Sequence, residues 1–290
     1  MKKEKVLSPD SIWIGVDLGG TSAKVGVVDG QGRVLASHSI AHAGEKSELA
    51  VVKRIGTCTT HALRKAGKTI FEIVAVGVGA PGGISNGCVI QAANFPGWKD
   101  VPLADMVRDE LRSDLPIVLV NDADAATCAE LWVGAAHDGK GASSSSSGRA
   151  GHPSESKKKE TNKKNKAKKE PVKDLVLLTL GTGVGAGLIL GGNLVSGATG
   201  TIEGGHHIVC QGGKPCPCGQ RGCMEQYCSA TGVVFEDALS GDETALGVVK
   251  EMCHFLAVGC INFMRIVDPA VIVLLEEEED DDDEEEEEYL

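Results

Sequence analysis

Between Glu203 and Glu225 the chain reads EGGHHIVCQGGKPCPCGQRGCME, and from its two histidines and four cysteines one imidazole and three thiols stand out by their cadence. His206 is followed after nine residues by Cys216, after one more by Cys218 and after four by Cys223. Three soft thiolates and one imidazole are the ligand set of a closed tetrahedral zinc site. Pro215, Pro217, Gly219 and Gly222 break helix and strand around the cysteines, which predicts a tight knuckle loop. Glu203 and Glu225 frame the set, and the metal needs neither. A clamp that fixes two flanking acids is suited to positioning them against a substrate. A disulfide knot is the alternative, but Cys-x-Cys pairs bridge poorly and no secretory signal opens the chain.

Two glycine turns offer a second chemistry. Asp17-Leu-Gly19-Gly20-Thr21 and Gly181-Thr182-Gly183 each present backbone N–H groups and a threonine hydroxyl, a geometry suited to polyphosphate oxygens. Asp17 stands at the mouth of the first, where a carboxylate can hold Mg²⁺, and Lys24 could neutralise a phosphate. Asn121-Asp122 ends a buried run, where side chains emerge into a cleft. Either Asp122 caps the next helix, or it is a general base for a hydroxyl, with Asn121 holding a neighbouring hydroxyl. Asn94 adds an amide in the loop AANFPGW. Reading a polyol takes many fixed amides and carboxylates, and Asn94, Asn121, Asp122, Glu203, His206 and Glu225 form such a set. Gly77-Val-Gly79-Ala-Pro81-Gly82 imitates a dinucleotide fingerprint but opens no helix. Gly134 to Gly141 imitates a phosphate loop but lacks its Ser or Thr.

Positioning these groups requires sheets. Apolar runs predict strands at Ile12 to Val16, Lys24 to Val28, Arg33 to Ser39, Ile73 to Val78, Ile117 to Val120, Leu175 to Leu180, Gly187 to Leu190 and Val271 to Leu274. Helical periodicity marks Glu45 to Ala66, Val101 to Leu111, the small-residue stretch Ala123 to Gly134, a start at Glu225 to Ala230, and Leu246 to Ile266. Both glycine turns therefore fall between two strands. Four segments are expected: 1–138, an α/β domain with the phosphate turn and Asp122; 139–173, a disordered Ser/Lys-rich insertion; 174–275, an α/β domain with the knuckle; and 276–290, an acidic tail.

Composition fits that plan. With 290 residues, 42% apolar but only 3% aromatic, the core must be aliphatic and glycine-rich. No apolar run approaches the ~18 uninterrupted residues of a membrane span, so no membrane is expected. Ten cysteines without an export signal point to reduced thiols and a cytoplasmic setting. The thirteen acidic residues from Glu276 to Glu288 account by themselves for the net charge of −12. Eight lysines between Lys157 and Lys169 stand against one acid, Glu160. What remains is mildly acidic, which gives nucleic-acid binding no support.

Together DLGGT, APGG…NFPGW, NDADAA, GTGVGAG, E-x-G-H and C-P-C-G-Q-R-G-C-M-E resemble the ROK sugar kinases, most of all their glucokinase and N-acylmannosamine kinase members, over roughly 12–138 and 174–274. The resemblance implies an actin/hexokinase-like (RNase H-like) two-domain ATPase fold, with ATP, Mg²⁺ and a structural Zn²⁺. It implies Asp122 as base and Asn94, Asn121, Glu203, His206 and Glu225 as sugar ligands. Gly19, Gly20, Thr21, Ser22, Lys24, Gly181, Thr182 and Gly183 would face nucleotide phosphates, with His206, Cys216, Cys218 and Cys223 on the metal. Sugar and ATP are then the partners, and a homodimer is carried beside a monomer. In the family a glycine pair that helps hold adenosine follows the strand matching Val271 to Leu274. Leu275 and the acid tract stand there instead, so the expectation includes a C-terminally truncated chain or weakened nucleotide binding. The sixteen residues before Asp17 are too few for the DNA-binding module of the family's repressors.

The expected function is phosphorylation of a hexose, glucose before an N-acylmannosamine or other aminosugar. The alternatives of another class are a sugar-binding regulator without turnover and a non-functional truncated product.

Overall fold

The computed structural model describes residues 8–137, 171–198, 200, 202–229 and 238–276. Nearly all of the expected lysine-rich insertion, and the acidic tail beyond Glu276, lie outside the described residues. In chain order the elements are β1 (Ile12–Leu18), β2 (Ser22–Asp29), β3 (Val34–Ala41), α1 (Glu48–Ala66), β4 (Ile73–Ala80), β5 (Gly83–Ser85), β6 (Cys88–Gln91), α2 (Leu103–Glu110), β7 (Ile117–Asn121), α3 (Asp122–Trp132), β8 (Leu175–Leu180), β9 (Val184–Leu190), β10 (Asn193–Leu194), α4 (Glu225–Cys228), α5 (Glu243–Ile266) and β11 (Val271–Glu276).

Two mixed sheets carry the fold. The first runs β3-β2-β1-β4-β7, with β1, β2 and β3 antiparallel and β4 and β7 parallel to β1. The second runs β10-β9-β8-β11, again a hairpin (β8–β9) extended by a parallel strand (β11 on β8). Each sheet thus turns a hairpin at its opening strand, and the two glycine turns sit there. Burial alternates along β1 and β2, whose inward residues Ile14, Val16, Val25 and Val27 meet α1 through Val51, Val52, Ile55, Cys58 and Ala62. Gly67 stops α1 in a left-handed conformation, φ 64°, where its N–H reaches the last carbonyls. All six residues of β8 are buried, as in a strand covered on both faces.

The small-residue helix predicted after Asn121 does pack closely. A Cβ on Gly187 of β9 would lie 1.9 Å from Thr127 Oγ1 and 2.9 Å from the Ala123 carbonyl, so only glycine lets α3 approach. α3 touches β4 and β7 of the first sheet as well as β8 and β9 of the second. It is therefore the element that joins them.

One expectation is corrected here. β11 runs two residues past Leu274, pairing Leu275 with Thr179 and Glu276 with Leu180, because the ladder to β8 continues where side-chain pattern no longer signals a strand. Glu243–Ile266 has the length and mean hydropathy of a membrane span. Its Met252, Phe255, Leu256, Cys260 and Phe263 pack onto the second core, while Val248, Ile261, Met264 and Ile266 are exposed.

Candidate active site

The first half of the site gathers where the parallel strands end. Asp17 pairs with Lys24 across the hairpin and with Gly79 of β4, and Gly79 pairs in turn with Val120 of β7. Asp17, Gly79 and Asn121-Asp122 therefore share one carboxyl edge, where open α/β sheets place ligands. Gly19, Gly20 and Thr21 form the turn beside it, with Thr21 exposed, and Ser22 and Lys24 continue into β2. A Cβ on Gly20 would lie 3.1 Å from the Asn94 amide, so the turn and the Asn94 loop are in contact.

Asn121, not Asp122, caps α3. Its Oδ1 accepts from the N–H of Ala123 at 3.0 Å and of Asp124 at 3.4 Å, and its Nδ2 donates to the Gly82 carbonyl at 3.2 Å. That frees Asp122 from the capping role weighed for it. Asp122 sits in the first turn, accepts from the Ala123 N–H at 2.8 Å, and burial pushes its carboxyl above the usual carboxylate range.

The knuckle brings its four expected ligands together. One donor atom from each of His206, Cys216, Cys218 and Cys223 lies within 4.8 Å of all the others. Cys216 Sγ is 3.6 Å from His206 Nδ1, and Cys218 Sγ is 3.6 Å from Cys223 Sγ. Ligands on a tetrahedral zinc at ~2.0–2.3 Å would stand roughly 3.6–3.8 Å apart. Both the donor set and the spacing fit the ion. Gln226 Nε2 points at Cys216 Sγ and Gln220 Nε2 at Cys218 Sγ, outer donors of the kind that orient metal ligands. All ten cysteines are free thiols.

The flanking acids stand on either side of the imidazole. Glu203 Oε2 is 4.0 Å from His206 Nε2, and Glu225 Oε1 is 4.0 Å from Nδ1. Glu225 also reaches the second glycine turn, accepting from the Val184 N–H at 3.2 Å, and a Cβ on Gly183 would lie 2.8 Å from its Oε2. Gly181 and Gly183 close that turn through a 3.0 Å hydrogen bond, leaving Thr182 exposed.

Beside the packing of α3 on β8 and β9, two close approaches connect the halves near these residues. A Cβ on Gly185 would lie 3.2 Å from Ala123 Cβ, so the residue after Asp122 faces the residue after the one Glu225 holds. Gly200, just ahead of Glu203, lies against the Ile84 carbonyl. Two surface clefts, of about 230 and 360 Å³, lie instead along α1 and α2 and are lined by none of these residues.

Residues 13–142 and 161–280 match the ROK family. This chain belongs to that family. A glucokinase of Thermotoga maritima is 30% identical over 89% of this chain and 80% of its own length. An N-acetylmannosamine kinase of Citrobacter koseri is 26% identical over 84% and 76%. Among solved structures, a ROK family glucokinase from Streptomyces griseus in complex with glucose and AMPPNP agrees at a TM-score of 0.68, 27% identical over 92% of this chain and 83% of that one. The fold of this ROK chain is the actin/hexokinase-like α/β fold. The family match enters the expected insertion from both sides, reaching 142 and resuming at 161.

Sequence reasoning singled out neither Asp124 nor His42, which the structure buries beside these residues. Asp124 is only 1% exposed and its Oδ1 has no hydrogen-bond partner. Burial pushes its carboxyl up to about 6, against a hydrogen bond from Ser196 and with the Asp122 charge adding to the rise. The NDADAA repeat of acids was the available signal, but it does not say which carboxylate turns inward. A pKa raised by folding adds stability below the unfolded value and loses it as pH climbs through 6. Asp124→Asn should therefore unfold in urea much like the parent near pH 3, below the unfolded carboxylate value. By pH 8 it should gain on the order of 3 kcal/mol relative to the parent. Parallel pH dependences for the two proteins would refute this burial account.

Proposed function

We propose that this ROK sugar kinase transfers the γ-phosphoryl group of ATP to a hydroxyl of a hexose, with glucose as the preferred acceptor. The observation that carries the reading is Asp122. It is a solvent-accessible carboxylate just past the end of β7, raised by its partly buried surroundings and free of capping duty, and its neighbour Ala123 packs on Gly185 beside the turn tied to Glu225. Asp122 takes the proton of the acceptor hydroxyl as its oxygen bonds to the γ-phosphorus. The bond from that phosphorus to the bridging oxygen breaks, and ADP leaves.

Charge and polar groups suit the remaining roles. The N–H groups of Gly19, Gly20 and Gly183, with Thr21, Ser22, Lys24 and Thr182, would surround the phosphates, the Gly181 N–H shapes the second turn by donating to the Gly183 carbonyl, and Asp17 would hold Mg²⁺. Asn94, Asn121, Glu203, His206 and Glu225 read the sugar. Because Nδ1 of His206 is the nitrogen turned to Cys216, Nε2 remains for a sugar hydroxyl beside Glu203. Zinc, when bound, supplies a fixed positive centre that holds this imidazole in one tautomer. Free thiols throughout suit a cytoplasmic enzyme.

An aminosugar acceptor is the second reading, supported by the similarity to the Citrobacter koseri kinase. A coupled ADP-release assay over glucose, mannose, N-acetylglucosamine and N-acetylmannosamine separates the two. The highest kcat/KM is expected with glucose, and a preference for an N-acetylated sugar would transfer the assignment. Sugar-dependent thermal stabilisation without ADP release from any of the four would make the chain a sensor.

A further inference from the structure

His42, on the loop after β3, grips the first glycine turn at two points. Its backbone N–H donates to the Thr21 carbonyl at 2.7 Å, and its Nε2 lies 3.1 Å from the Gly19 carbonyl. A carbonyl only accepts, so Nε2 carries the proton and Nδ1 keeps a lone pair. That Nδ1 is buried without a partner, and the whole residue is 1% exposed. On its other side the ring meets Phe95 edge-on, with centroids 5.6 Å apart, and Phe95 stacks on Trp98 at 4.5 Å. Trp98 Nε1 donates to the Lys46 carbonyl at 2.9 Å, and Lys46 Nζ donates to the Asn94 carbonyl at 3.1 Å. The Asn94 side chain rests on Gly20.

A chain with 3% aromatic residues thus spends two of them, both nearly inaccessible, on bracing one histidine between two loops. One loop carries Asn94 and the other carries the phosphate-facing amides. We propose that His42 is a positioning residue that couples the two, so that ordering the Asn94 loop around a sugar sets the Gly19–Thr21 turn for nucleotide. This rests on the kinase reading above. The loops touch through packed side chains, and the His42 Nε2–Gly19 bond is a polar side-chain link in that packing. Sugar and nucleotide then bind with positive cooperativity, and linkage requires the same factor in both directions.

The test measures AMPPNP affinity by calorimetry with and without a saturating amount of the best sugar of the four-sugar panel. In the parent, sugar is expected to tighten AMPPNP roughly tenfold, within the usual range of site coupling. His42→Phe keeps the aromatic contact but cannot donate to Gly19, and its coupling factor should fall towards one. Its sugar affinity measured alone should be little changed. His42→Gln retains an N–H donor and should recover part of the coupling. Bound metal and the unfolding midpoint of each variant show whether it is folded, and should His42→Phe be unfolded, the Gln and Asn variants carry the comparison. A parent that phosphorylates sugar while His42→Phe couples as strongly as it does sinks this proposal alone. A parent that neither turns over nor binds AMPPNP sinks the kinase reading, and this proposal with it.

Discussion

Asp122→Asn is expected to lower kcat by about 10²- to 10⁴-fold, the usual contribution of a positioned base. Sugar and AMPPNP affinities should change little. Asparagine keeps the shape of the side chain and can still accept from the Ala123 N–H, and the cap of α3 belongs to Asn121, so the helix start survives. What is lost is the ability to take a proton. A mutation that acts only on the chemical step lowers kcat and kcat/KM together and leaves binding alone. The pH profile provides an independent check. Burial raises the Asp122 carboxyl, and the base works only when ionised. Parent kcat should therefore fall on the acid side, starting at a higher pH than an ordinary carboxylate would give. The residual rate of the Asn variant should not follow that limb. Measuring ADP release between pH 5 and 8 tests both statements. A variant with undiminished kcat would remove Asp122 from the chemistry.

Much of this arrangement was legible in the residues, and the parts that were not share a physical cause. Strands such as Leu175–Leu180 announce themselves because a strand covered on both faces is apolar throughout. The knuckle is legible because metal ligands must be specific residue types at a spacing the loop can close. The division of labour in Asn121-Asp122 was not, because either side chain can cap a helix. Only the backbone conformation at Asn121, φ −64° and ψ 148°, decides which residue stands outside the first turn. His42 was invisible for a different reason. A lone histidine in SIAHAG carries no pattern, and its partners Gly19 and Phe95 lie 23 and 53 residues away in the chain. The extra residues of β11 escaped because backbone pairing to β8, unlike side-chain burial, leaves no trace in composition.

Metal removal should have the other large effect. Freshly purified protein is expected to hold about one equivalent of zinc per chain, and Cys218→Ser to hold much less. Cys216 and Cys223 are buried, with the exposed Cys218 beside them, and the four donors converge in a loop of turns and isolated bridges rather than of helix or sheet. Without an ion, only the loop's own turn hydrogen bonds offset the ordering entropy of a stretch rich in glycine and proline. An ion bound at a thousand times its dissociation constant would contribute about 4 kcal/mol. That corresponds to roughly 10 °C in the unfolding midpoint of a chain of this size. Chelation should also raise the KM for sugar more than that for ATP. Glu203 and Glu225 are fixed relative to each other through His206 and the knuckle, whereas the Gly19–Thr21 turn is held by β1, β2 and His42. Added zinc should restore both the midpoint and the KM. An unfolding midpoint indifferent to chelator, or fresh protein that contains no metal, would leave the convergence of one imidazole and three thiols without the role given to it here.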